Sequence, residues 1–111
     1  MLSDRDRQAL TDIAENIDLA FGFAEGLNEA AFAADLKSYY AVVRCLEIIS
    51  EASRKVSDEV KVRHPELPWK QIAGSGNIYR HDYGNIAQSM VWITLHRSLP
   101  LLKAVVDSEL A

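Results

Sequence analysis

The stretch from Tyr39 to Ile49 constrains this chain most. It reads Tyr-Tyr-Ala-Val-Val, Cys-Leu and Ile-Ile, interrupted only by Arg44 and Glu47. On a helix such a run is apolar nearly all round, and a helix of that kind is buried on more than one side. A chain of 111 residues supplies one core and few other helices to cover it. The expectation is therefore an all-α fold in which a partner subunit completes the cover, a two-fold homodimer joined through this second helix. Three Pro and five Gly are too few for a β-rich fold with many turns.

The rest of the chain reads as three more helices around that one. Leu10, Ile13, Ala14, Ile17, Phe21 and Ala24 recur at three and four, a one-sided stripe that predicts a first helix from about Asp4 to Gly26. Ser3 and Asp4 are suitable N-caps, and Gly26 with Asn28 ends the helix. Residues 27–34 form a short Ala-rich connection of about one turn. The second helix starts near Asp35 and reaches towards Arg63, where Pro65 stops it. Pro68 opens a third helix over Trp69 to Arg80. A fourth runs from Asn85 or Ile86 to the C-terminus, kinked or restarted at Pro100 with Ser98 as a cap. Four helices with short connections make an antiparallel bundle, one domain over residues 1–111.

Charge is unevenly spread. The net charge is −4, which argues against a general nucleic-acid coat protein. Residues 1–53 hold four Lys or Arg against ten Asp or Glu, whereas residues 54–81 hold six against three. Such a basic surplus suits either a solvated face with pairs such as Glu59–Arg63 or a phosphate-binding surface. No apolar run approaches the roughly 20 residues of a membrane span. The charged N-terminus has no apolar signal core. The single Cys45 lies in the apolar run and reads as inert core, and a reducing, cytoplasmic setting fits.

The chemistry gathers in Trp69–Ile86, WKQIAGSGNIYRHDYGNI. Asn77 and His81 are four apart and share a helix face, with Arg80 on the neighbouring row. Gly74 and Gly76 each cost about 1 kcal/mol relative to Ala inside a helix. Their presence predicts close backbone approach or φ values that other residues resist. His64, His81 and His96 are far apart, and no metal-ligand spacing occurs, so no metal or cofactor is expected. An imidazole at position 81 can take and give a proton near neutral pH, or it can serve as a helix C-cap. Arg80 can hold a phosphate through its fork of donors, and Asn77 can donate to phosphate or orient the ring. Arg44, Glu47 and Glu51 fall on one stripe of the second helix, either an ion-paired stripe that fixes register or the polar floor of a cleft.

The pattern Pro68-Trp69, Ile72-Ala73-Gly74, Asn77 and His81-Asp82-Tyr83 resembles the HepT-type toxins of the HEPN superfamily. The helix Arg44-Cys45-Leu46-Glu47-Ile48-Ile49-Ser50-Glu51-Ala52 is similar to a helix of the same family that reads Arg-x-Leu-Glu-Ile-Ile-Gly-Glu-Ala. The resemblance covers almost the whole chain. It implies a metal-independent endoribonuclease that cleaves RNA at a dimer cleft through His81, Asn77 and an arginine. It implies Arg44, Glu47 and Glu51 beside the cleft, and Tyr83 as the residue adenylated by a nucleotidyltransferase antitoxin. One position departs: the family's motif Arg falls on Gly76, and the nearest Arg is Arg80. A binding module that pairs with the same partner without cleaving RNA is the alternative. A plain helical interaction protein is a third reading.

Overall fold

The computed structural model describes the backbone of residues 1–81 and 85–111, and the side chains of 1–76 and 87–111. Helix α1 spans Asp4–Ala24, and Ser3 caps it by accepting the Asp6 N–H at 3.0 Å. Gly26, at φ 78°, takes the left-handed turn that ends it. The connection is better ordered than its composition implied. Asn28 caps α2 (Glu29–Ala34) by accepting from Ala31 N–H, and Phe32 within it is fully buried. Asp35 then caps α3 (Leu36–Lys55), accepting from both the N–H and the hydroxyl of Ser38.

The second helix of the sequence reading, α3, ends at Lys55 instead of reaching Arg63. Val56 turns extended, and Ser57 caps a separate short helix, α4 (Asp58–Val62). The break is fixed from outside: Ser57 N–H and Oγ both donate to the Asp6 carboxylate, each at 2.7 Å. Asp6 is buried, which by itself would raise its pKa. The hydrogen bonds from Ser57, helped by Ser3, outweigh this and hold it below its ordinary value.

Helix α5 (Trp69–His81) follows the Pro65–Pro68 elbow, where Trp69 Nε1 donates to the His64 carbonyl. Helix α6 (Asn85–Ile93) passes through a π-helical turn, Thr94–Ser98, into α7 (Leu99–Leu110). Pro100 falls where the helix restarts, as α7. It occupies the first turn of α7, where no intrahelical donor is needed, and the irregularity falls just before it. The Ser98 side chain makes no capping hydrogen bond.

Helix α3 is the centre. Asp6, at the start of α1, meets Ser57, just past the end of α3, so the two run antiparallel. Helix α5 also runs antiparallel to α3, with Ala73 beside Ser50 and Arg54. Helix α7 closes on α1 through Lys103 and Asp18. Leu10, Ile13, Ile17, Val42, Val91, Leu95 and Val106 form the driest part of the core. Tyr39, Val42, Val43, Cys45, Leu46 and Ile49 are all buried within one chain. The apolar run thus finds most of its cover at home, and only Leu36 and Tyr40, each 55% exposed, leave apolar surface at its start. Among the described residues there is no strand, and no helix is long and apolar enough to cross a membrane.

Candidate functional site

The seam between α3 and α5 is built on the α5 backbone. Ser50 Oγ donates to the Ala73 carbonyl at 2.8 Å and accepts the Gly76 N–H at 3.1 Å. Arg54 Nη1 donates to the same Ala73 carbonyl at 2.6 Å. Ser50 is itself buried, and Ser53 Oγ donates to the Ser50 carbonyl. Polar anchoring of this kind fixes the height and rotation of α5 without using its outward side chains.

The two glycines of α5 do different things. A Cβ on Gly76 would stand 3.0 Å from Ser50 Oγ and 3.2 Å from Ser50 Cβ, with Glu47 Cα at 3.9 Å. The close approach expected of the glycines is thus real at position 76. Any side chain at position 76 would press on Ser50. Among the described residues, a Cβ on Gly74 would meet nothing within 4 Å, and only Gly26 has a positive φ. Neither expected reason for a glycine applies at position 74.

The helix geometry then sorts the surface. At 100° per residue, positions 70, 74, 77 and 81 fall within an arc of about 60° on α5. Lys70 and Gly74 on that face are exposed. Alongside lies a polar stripe of α3. Arg44 and Glu47 form an ion pair at 4.0 Å, with the arginine largely exposed and the glutamate mostly covered. Glu51 is exposed in the next turn, and Arg54 ends the stripe on Ala73. Arg54 was missed in the sequence, although its spacing of three from Glu51 continues the row through Arg44, Glu47 and Glu51. Asn77, Arg80 and His81 occupy the last turns of α5, which run on past Ser50 towards the Arg44–Glu47 turn. Their side chains lie outside the described residues, as does all of Tyr83.

The other flank of α5 is different in kind. Pro68, Gln71, Ile72 and Ser75 face a cavity of about 370 Å³ floored by Leu46, Ile49, Leu99 and Leu102, with Arg97 at its rim. Ser75 lies about 160° round α5 from position 77, so this cavity is not continuous with the motif face. The remaining reactive groups are engaged elsewhere. Burial raises the Cys45 thiol pKa, as an inert core cysteine requires. His64 lies 2.6 Å from Glu109 and His96 stacks on Trp92 at 4.1 Å between ring centroids.

A helical bundle of this order, with α5 anchored on the central helix through its backbone, defines a recognisable class. The profile described as Ribonuclease HepT-like matches residues 13–109, and the chain belongs to that family. "Probable ribonuclease HepT" of Thermococcus cleftensis is 37% identical over 94 residues, 85% of this chain and 86% of that one. "Putative RNase MJ1380" of Methanocaldococcus jannaschii is 34% identical over 107 residues, 96% and 98% of the two chains. A further relative, "Putative RNase TTE0752" of Caldanaerobacter subterraneus, is 30% identical over 104 residues, 94% and 93%. No solved structure matches.

Proposed function

We propose that this chain is a metal-independent endoribonuclease, the toxin of a toxin–antitoxin pair, acting in the cytoplasm as a homodimer with a shared cleft. The observation that carries the reading is the common face of positions 77 and 81 on α5, held against the Arg44–Glu47–Glu51 stripe by backbone anchoring. His81 takes the proton of a ribose 2′-hydroxyl, and the freed oxygen attacks the adjoining phosphorus. The 5′-oxygen leaves and receives a proton, so the products carry a 2′,3′-cyclic phosphate and a 5′-hydroxyl. Asn77 and Arg80 hold the charged phosphate through this step. A nucleotidyltransferase antitoxin silences the site by adenylating Tyr83, which puts charge and bulk beside His81.

The packing of Gly76 on Ser50 favours a second reading. Without an arginine at position 76, the fold keeps RNA and partner surfaces but not turnover. One assay separates the two. The first reading expects RNA cleavage that survives EDTA, leaves cyclic phosphate ends and falls by about 10²–10⁴-fold in His81→Ala. RNA that is bound but never cut, by wild type or by Arg80 variants, leaves only the binding module. Co-expression with the partner should add adenylate mass to the wild type but not to Tyr83→Phe, and light scattering should give twice the 12.4 kDa chain mass.

A further inference from the structure

We infer that Lys70, Gly74 and Arg54 form a backbone-binding track that carries single-stranded RNA along α5 into the cleft. The inference rests on the ribonuclease reading above and adds where the strand lies. Its starting point is Gly74. A glycine in mid-helix sacrifices stability, and it is normally kept for a left-handed φ or for a tight contact inside the protein. Gly74 has neither: its φ is not positive, and among the described residues a Cβ there would meet nothing within 4 Å. A bare patch of helix that the protein's own packing does not require is explained by a molecule that comes close from outside.

The surroundings indicate which molecule. Lys70 stands one turn before Gly74 on the same face and is exposed. Arg54 reaches over from α3 to the Ala73 carbonyl next door. Its Nη1 is held there, and the exposed guanidinium keeps further N–H groups for a phosphate. Two cations thus flank a smooth stretch of helix, on the face that continues to positions 77 and 81. The rise per residue puts Gly74 about 10 Å and Lys70 about 16 Å from position 81 along the axis. A polyanion with regularly spaced charges fits such a strip. The chain is acidic as a whole, with net charge −4, so a local cationic strip makes that attraction site-specific.

The test uses the full chain and a single-stranded oligoribonucleotide made uncleavable by 2′-O-methylation. Gly74→Leu should fold and melt several degrees higher, because leucine is the better helix former and has open space. Its RNA affinity should nonetheless fall about tenfold. Lys70→Ala should weaken binding and reduce the slope of log K against log salt by about 0.7, the value for one phosphate contact on a single strand. Gly74→Leu that binds RNA as tightly as wild type overturns the track while leaving the ribonuclease reading intact. Gly74→Leu that breaks the dimer with no change in RNA affinity also overturns it, because the bare patch would then seat a second copy. Wild-type chain that neither binds nor cuts RNA removes the ribonuclease reading itself.

Discussion

Helices α1 and α5 both pack on α3, by opposite means. The α1 seam is made of side chains: Leu10, Ile13 and Ile17 are wholly buried in the core that Val42 and Leu46 share, with one polar tie at the end, Asp6 to Ser57. The α5 seam is tied through main-chain groups, the Ala73 carbonyl and Gly76 N–H, held by Ser50 and Arg54. Apolar burial carries stability in proportion to area and demands particular side chains along the whole interface. Backbone anchoring demands them only on the partner helix. Trp69 and Ile72 still pack α5 on the core, while its outward face, with Lys70 and Gly74, is left exposed.

The comparison is broken first at α1. Ile17→Ala should destabilise the fold by about 2–5 kcal/mol, the range for emptying a core site. Urea melts would measure it, and a loss below about 1 kcal/mol would contradict the view of α1 as the stability seam. Ser50 tests the second seam. Ser50→Ala removes the donor to Ala73 and the acceptor for Gly76 N–H, at a cost of about 0.5–1.5 kcal/mol for each hydrogen bond lost. It should also lower RNA cleavage beyond what lost folded protein explains, because α5 loses its register. Gly76→Arg sharpens the point, since its Cβ would crowd Ser50. In an otherwise native chain it should destabilise; in a Ser50→Gly background, where both contacting atoms are gone, the penalty should shrink. Equal penalties in the two backgrounds would show that Ser50 is not the obstacle.

Much of this was legible in the sequence where the signal is local. The caps Ser3 and Asp35, the Pro68 start of α5 and the apolar stripe of α1 depend on neighbours a few residues away. The features that escaped depend on distant partners. Ser57 splits the second helix because Asp6, some fifty residues earlier, seizes both its donors. The apolar run of α3 does not announce which helices of its own chain cover it, and α1, α2, α5 and α6 cover most of it. The charged row was read from Arg44 to Glu51 and stopped one step short of Arg54, whose target is a backbone carbonyl with no signature in sequence. Gly74 and Gly76 look alike in the sequence. Only the neighbouring helix separates the one that is needed for packing from the one that is not.

The smallest expected effect concerns acid, and it touches both seams. Arg63 donates twice to Glu109, at 3.1 and 2.7 Å, and His64 approaches it at 2.6 Å, so α7 holds the elbow from which α5 starts. The hydrogen bonds from Arg63 above all hold the Glu109 carboxyl down to about 2, against an ordinary 4.5. Asp6, which closes the α1 seam, is likewise held below its ordinary 3.8. A carboxylate whose pKa is lower in the folded chain than in the unfolded one stabilises the fold above the unfolded pKa. That contribution is lost as pH falls through the folded pKa. These two groups should therefore leave the melting temperature level from about pH 7 to about pH 5 and lower it steadily from about 4.5 to about 2. Glu109→Gln should remove part of that slope and lower stability at neutral pH, with Asp6 supplying what remains. If the Glu109→Gln profile runs parallel to wild type all the way down, the elbow clasp contributes nothing in solution. The anchoring of α5 would then rest on Ser50 and Arg54 alone.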